Sequence, residues 1–338
     1  MTERFAAFYS SRPFWAGEAI DFDTVRKAAQ FTRQMSVIVF SHDTDEYRLR
    51  VCRDGMLMLQ VFELEAEAET DDGEKLRPIE EKVAWWGRYL DYLNCLYLLL
   101  DSATIRVANL AYFELSEITN KDGFRVYYEN GKWSGEQVAS QSIASYYQLG
   151  RYASMYPIDP RADPRMFARQ PLQREIFDSL FATFSAATRD VFLLRNLAAV
   201  TKSIAEYKVG NYGTSLVLSW FVCETQLSAT WRAFLDASNR EFPDGSRRVS
   251  GDRRNTLTGR DYPISVVSNL LELSGTLPFE TFRTVDAVRG YRNKVVHQDP
   301  GFSCGPVHCQ QAIGLALELA LKDSDIRVTP NLGFSVSG

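Results

Sequence analysis

Histidine is scarce in this chain, three in 338 residues, and neither sign of charge dominates. The 38 Lys+Arg against 43 Asp+Glu leave a net charge of -5. No global basic field announces a nucleic acid, so contact with one has to come from a local patch. The most apolar run, residues 93–100, is far shorter than the roughly 20 residues a bilayer span needs. Met1-Thr2-Glu3-Arg4-Phe5 has no basic region followed by an apolar stretch, so neither a signal peptide nor a membrane anchor is expected. Cys52, Cys95, Cys223, Cys304 and Cys309 are scattered and odd in number, which suits a reducing, cytoplasmic compartment better than a disulfide framework. Gly-x-Ser-x-Gly, His-Glu-x-x-His and the dinucleotide fingerprint are missing. Cys304, His308 and Cys309 lack a second ligand pair, so no metal and no other cofactor is expected.

What is there is foldable: the chain is 45% hydrophobic and long enough for two ordinary cores. The reading is α+β, a mixed first half followed by an all-α bundle. Residues 22–34 read as a helix, and 36–40, 47–51 and about 56–62 as strands around the turn His42-Asp43-Thr44-Asp45, where local hydrogen bonding accounts for His42. The acidic run 63–74 reads as a solvated strand edge and loop. Helical spacing returns over 78–101, strands are expected again over 105–113, and Asn130-Gly131 between β-prone runs is a hairpin signal. Pro157, Pro160, Pro164 and Pro171 break both periods. The domains are therefore placed at 1–155, a linker at 156–172 and a helical bundle at 173–338. In the bundle, 175–208 is one long helix or two in series, followed by helices at 214–237, 266–273, 279–297 and 306–321.

The unusual polar residues cluster where the fourth of these helices ends, in Arg292-Asn293-Lys294-Val295-Val296-His297. Phe282, Val285, Val288, Val295 and Val296 mark its apolar stripe, and Asp299-Pro300-Gly301 stops it, leaving His297 in a last turn next to solvent. Asn293 and His297 are four apart and share a face. Arg292 lies roughly 140° from His297, a gap its long side chain partly closes. RNA carries its own nucleophile, the 2′-hydroxyl. An imidazole in reach can move its proton while a guanidinium stabilises charge on the phosphate, with no metal required.

This arrangement resembles the HEPN superfamily, helical-bundle proteins whose ribonuclease members carry an Arg, usually a polar residue next, and a His four to six residues on. The corresponding positions are Arg292, Asn293 and His297, in a stretch of resemblance covering residues 175–321 that includes the motif at the end of the penultimate helix. The resemblance implies a metal-independent endoribonuclease leaving a 2′,3′-cyclic phosphate at a composite site in a homodimer, acting as a toxin or antiviral effector. It also implies His297 as general acid/base, Arg292 as the phosphate contact, Asn293 as their orienter, and Glu224 as a loosely matched acidic support. Taken alone, the basic stretch over 240–260 reads first as a mobile, solvated loop; given a ribonuclease site at the hexapeptide, its Arg247, Arg248, Arg253 and Arg254, with Lys294, are the expected RNA contacts. The first domain is expected to sense a trigger or to hold an activating or neutralising protein partner. The alternative is a non-catalytic module of the same fold that binds a nucleotide or a partner.

Overall fold

The computed structural model describes residues 3–24, 28–69, 78–129, 132–135 and 168–333. The architecture is α+β, as expected, but its sheet is organised around a strand that alternation does not mark. In β1 (Glu3–Tyr9), Phe5, Ala6, Ala7, Phe8 and Tyr9 are buried in succession. A strand covered on both faces needs no polar side. β1 lies between β5 (Met56–Val61) and β6 (Phe124–Glu129), antiparallel to both. The six-stranded sheet is completed by β3 (Ile38–Asp43) and β4 (Tyr47–Cys52) beyond β5, and by β7 (Lys132–Gly135) beyond β6. Val126 pairs with Gly135 across the expected hairpin, whose turn residues Asn130 and Gly131 lie outside the described residues.

One face of β1 presents Phe5, Ala7 and Tyr9 to a core with Trp15, Met58 and Val126, closed by Phe31 and Met35 of α1 (Ala28–Met35). On the other face Phe8 meets Tyr97 at 5.7 Å. Tyr97 belongs to α3 (Ile79–Ala108), a 30-residue helix in which every residue from Leu93 to Thr104 is buried. Among its polar members, Asn94 donates to the carbonyls of Leu90 and Ile118 and accepts from the Ile118 N–H. Among the described residues no helix is long and apolar enough to cross a membrane.

Two local expectations are corrected. Residues 105–113 form no strand: α3 runs to Ala108, and Asn109 closes it in the left-handed region at φ 50°, its N–H returning to the Ile105 carbonyl. Asparagine tolerates that conformation, which overrides the β preference of Ile105 and Val107. The acidic run is not a strand edge either. Its first part forms α2 (Phe62–Glu69), where Glu65 is buried and takes both nitrogens of Arg125 at 2.7 Å plus the Tyr89 hydroxyl. Alternating Glu and Ala are good helix formers, and the paired cation removes the cost of burying one carboxylate.

The chain separates into two compact units at a different place from the expected linker: residues 1–201 with 326–338, and residues 202–325. Residues 156–167 of that linker lie outside the described residues, and Gln170–Leu172 forms β8, parallel to β2 (Phe14–Ala16). The next helix, α4 (Arg174–Thr188), belongs to the first unit because its aromatic face docks there. Phe177 stacks on Phe40 at 4.5 Å, and Phe184 meets Tyr47 at 5.1 Å. α5 (Val191–Lys208) runs across the division. The second unit holds α6 (Tyr212–Ala237), α7 (Gly251–Leu257), α8 (Ile264–Leu273), α9 (Phe279–Val296) and α10 (Pro306–Leu321). α6 is central and packs against α8, α9 and α10.

Candidate functional site

α9 carries the hexapeptide and buries Thr281, Val285 and Val288, positions spaced so that they fall on one side. Arg292 continues that line one turn beyond Val288 and, like Asn293 and Val295, is half-buried, while Lys294, Val296 and His297 are exposed. Its Nη1 donates to Oδ1 of Asn293 at 3.1 Å, and its Nε is buried without a hydrogen-bond partner among the described residues. His297 projects from the opposite side of α9 and is exposed, with no hydrogen bond to its imidazole among the described residues. The expected stripe holds at Val285 and Val288; Phe282 and Val295 are half-buried, and Val296 departs from it at 46% exposed.

The end of α9 is closed tightly. His297 is the C-cap, Gln298 adopts φ 53°, and the N–H groups of Gln298 and Asp299 bond the carbonyls of Val295 and Lys294 at 3.2 and 2.9 Å. This is a Schellman closure with glutamine in the place glycine usually takes. The Phe302 N–H then bonds the Asp299 carbonyl across Pro300 and Gly301, folding the chain back over α9. Phe302 thereby lies parallel to Tyr291, centroids 5.9 Å apart at 8°. His308, in the first turn of α10, meets Tyr291 at 4.7 Å and Phe302 at 5.0 Å. Its Nδ1 accepts the Gly305 N–H at 3.1 Å, and Lys294 Nζ stands 5.3 Å from the Phe302 ring centre. Sequence reading singled out His308 only as a rejected metal ligand and passed over Tyr291 and Phe302. The signal was the Asp-Pro-Gly turn, which returns the chain to the helix it has just left.

The structure does not bring every expected site residue to this place. α9 runs antiparallel to α6: a Cβ on Gly213 would stand 3.4 Å from Val295, whereas Thr281, near the start of α9, donates to Glu318 at 2.6 Å. α10 starts beside the start of α6, with Cys309 Sγ donating to the Tyr212 carbonyl at 3.0 Å, so Glu318 sits about two and a half turns further along. Glu224, exposed and eleven residues past Gly213, is therefore roughly 16 Å along α6 from the end that holds Val295. It lies level with the beginning of α9, not with His297. The arginines are further still. Arg254 pairs with Asp236 near the end of α6, which strengthens its hold on its proton, and Arg253 Nη1 donates to the Arg248 carbonyl at 2.8 Å. Asp236 is 23 residues beyond Gly213, roughly 34 Å along the helix. Arg247, Arg248, Arg253 and Arg254 thus form a separate basic surface within this unit.

That basic stretch is also more ordered than an open loop. A bridge joins Glu241 to Arg247, α7 is capped by the Ser250 hydroxyl, and Trp231 Nε1 donates to the Leu257 carbonyl at 2.8 Å. Cys304 and Cys309 bring their sulfurs to 3.9 Å, and burial pushes the Cys309 thiol up to about 12. No group of three or more metal-ligating side chains occurs among the described residues. In the first unit His42 is held across the fold rather than locally: its Nε2 meets Ser185 Oγ at 2.9 Å, and its ring stacks on Phe181 at 5.1 Å. A search of protein-family models, curated proteins and solved structures finds no match to this chain.

Proposed function

We propose that the chain is a metal-independent endoribonuclease of HEPN type whose reaction centre is Arg292, Asn293 and His297. The observation that carries the reading is the state of these side chains: an exposed imidazole at a firmly closed helix end and, about a turn and a half back along α9, a half-buried guanidinium bonded among the described residues to Asn293 alone. Most buried donors are matched; an unmatched Nε occurs also at Arg53, and at Arg292 it stands in the same helix end as the exposed His297. Arg292 keeps hydrogen-bonding capacity for a ligand of its own geometry, and phosphate is such a ligand.

The chemistry follows from the groups. His297 takes the 2′-hydroxyl proton as that oxygen attacks phosphorus, and the bond to the 5′-oxygen breaks. The leaving oxygen receives a proton from a second imidazole, giving a 2′,3′-cyclic phosphate and a free 5′-hydroxyl. Arg292 stabilises charge on the non-bridging oxygens, and its bond to Asn293 fixes one arm of the fork. Because Arg292 and His297 leave α9 roughly 140° apart, a second copy of the chain supplies the other half of the site. The expected setting, a toxin or antiviral effector restrained or triggered through the first unit, belongs to the same proposal.

The test is cleavage of a panel of RNAs by the full-length protein in chelator, with product ends identified. His297→Ala and Arg292→Ala are expected to abolish the cyclic-phosphate product while leaving circular dichroism and oligomeric state unchanged. Equal cleavage by wild type and both variants would overturn the assignment. RNA binding without cleavage would favour the non-catalytic module.

A further inference from the structure

The three rings beside the hexapeptide do more than fasten the loop that follows α9. Tyr291, Phe302 and His308 all remain partly in water. Tyr291, Lys294 and His297 are spaced by three, each step turning about 60° round the helix, so they form one continuous ridge on the surface of α9. Lys294 is the middle position of that ridge, and its ammonium stands over the Phe302 ring. A partly exposed aromatic platform with a cation over it supplies the components that single-stranded nucleic acid engages: rings for the bases, a cation for the backbone.

We propose that Tyr291, Phe302, His308 and Lys294 form a nucleobase subsite, which stacks one unpaired base of the RNA next to the bond that His297 acts on. This rests on the assignment of RNA as the substrate. Tyr291 and Phe302, 5.9 Å apart, are too close to admit a base between them, which takes roughly 7 Å, two layers of about 3.5 Å. The base therefore stacks on the outside of the cluster. His308 is locked by its bond from the Gly305 N–H, and Phe302 by the turn at Asp299, so the platform exists before the ligand arrives. Lys294 meets the phosphate next to the stacked nucleotide. Selection is for single strands, because a paired base offers no free face.

The experiment measures binding, separately from cleavage, with a fluorescently labelled 2′-O-methyl RNA oligonucleotide that has no nucleophile. Phe302→Leu and Tyr291→Leu are each expected to weaken binding about tenfold, and Phe302→Trp to keep it, since stacking is tolerant of ring type. Lys294→Gln is expected to flatten the salt dependence by about 0.7 in log–log slope, one phosphate contact. An oligonucleotide with abasic positions is expected to bind wild type about tenfold less tightly and to be indifferent to the Phe302→Leu change. Equal binding of intact and abasic oligonucleotides to wild type overturns the subsite, even if the Leu variants fail to fold. Cleavage with unchanged oligonucleotide affinity across the ring variants overturns it while leaving the ribonuclease standing. A wild type that neither binds nor cleaves overturns both.

Discussion

Arg125 in the first unit and Arg292 in the second are both withdrawn from water, and their surroundings treat them in opposite ways. Arg125 is 8% exposed and answered at every point: Glu65 takes both ends of its fork, and Trp85 and Tyr89 flank its plane at 5.2 and 5.5 Å. Burial alone would make Arg125 a stronger acid, but the Glu65 carboxylate reverses the sign and holds the guanidinium charged. Among the described residues Arg292 has one amide partner and a buried Nε with none. The lesson is about use. A cation whose donors are all matched inside the fold serves stability, whereas under the proposed function Arg292 keeps donors for a phosphate.

The comparison can be broken in four places. The largest effect is on the open side: His297→Ala is expected to slow RNA cleavage about 10³-fold, roughly 4 kcal/mol, with denaturation midpoint unchanged. The next is on the closed side. Arg125→Met strands the Glu65 carboxylate and is expected to cost about 3 kcal/mol in chemical denaturation, whereas Arg292→Met should stay within about 1 kcal/mol of wild type. If the two methionine variants lose stability equally, the contrast fails.

A third effect is set by pH in the first unit. Burial pushes the Tyr47 phenol up to about 12, against the opposing hydrogen bond of Ser185. The unfolded chain loses this proton near pH 10 while the folded chain keeps it, so stability is fully present below pH 10 and declines from there towards 12. The expected loss is on the order of 2 kcal/mol, read from denaturation midpoints, and it disappears in Tyr47→Phe. The smallest effect returns to the second unit. Gln298→Gly relieves the left-handed backbone but gives the unfolded chain more freedom, for a net gain of about 0.5 kcal/mol seen as a small rise in melting temperature.

The limits of α9 and α10 were legible because the sequence punctuates them. Pro278, Asp299-Pro300-Gly301 and Gly305-Pro306 are stop and start signals that tertiary packing has no reason to override. β1 was not singled out, since a strand buried on both faces carries no alternation. α2 was misread because a run with four glutamates in eight residues looks solvated until a partner such as Arg125 is known, and that partner is 60 residues away from Glu65. In the candidate site, local residues were found and distant ones misplaced. Arg292 to His297 is one helix turn and a half, which sequence spacing measures well. Glu224 lies partway along the 26-residue α6 and the arginines between 247 and 254 follow its far end, and spacing alone says nothing about which end of it meets α9.

One feature of the chain path sets an order of events during synthesis. The last described segment returns to the first unit: the Asn331 N–H bonds Asp101 at 2.8 Å, the Thr329 N–H bonds Ser102 at 2.9 Å, and Arg106 holds the Arg327 carbonyl at 2.8 Å. These contacts join residues more than 200 positions apart, so they close late. A ribosome releases all of residues 202–325 before the first unit can complete its hydrogen bonds. A nascent chain stalled just short of residue 326 would therefore carry a finished hexapeptide on an unfinished partner unit.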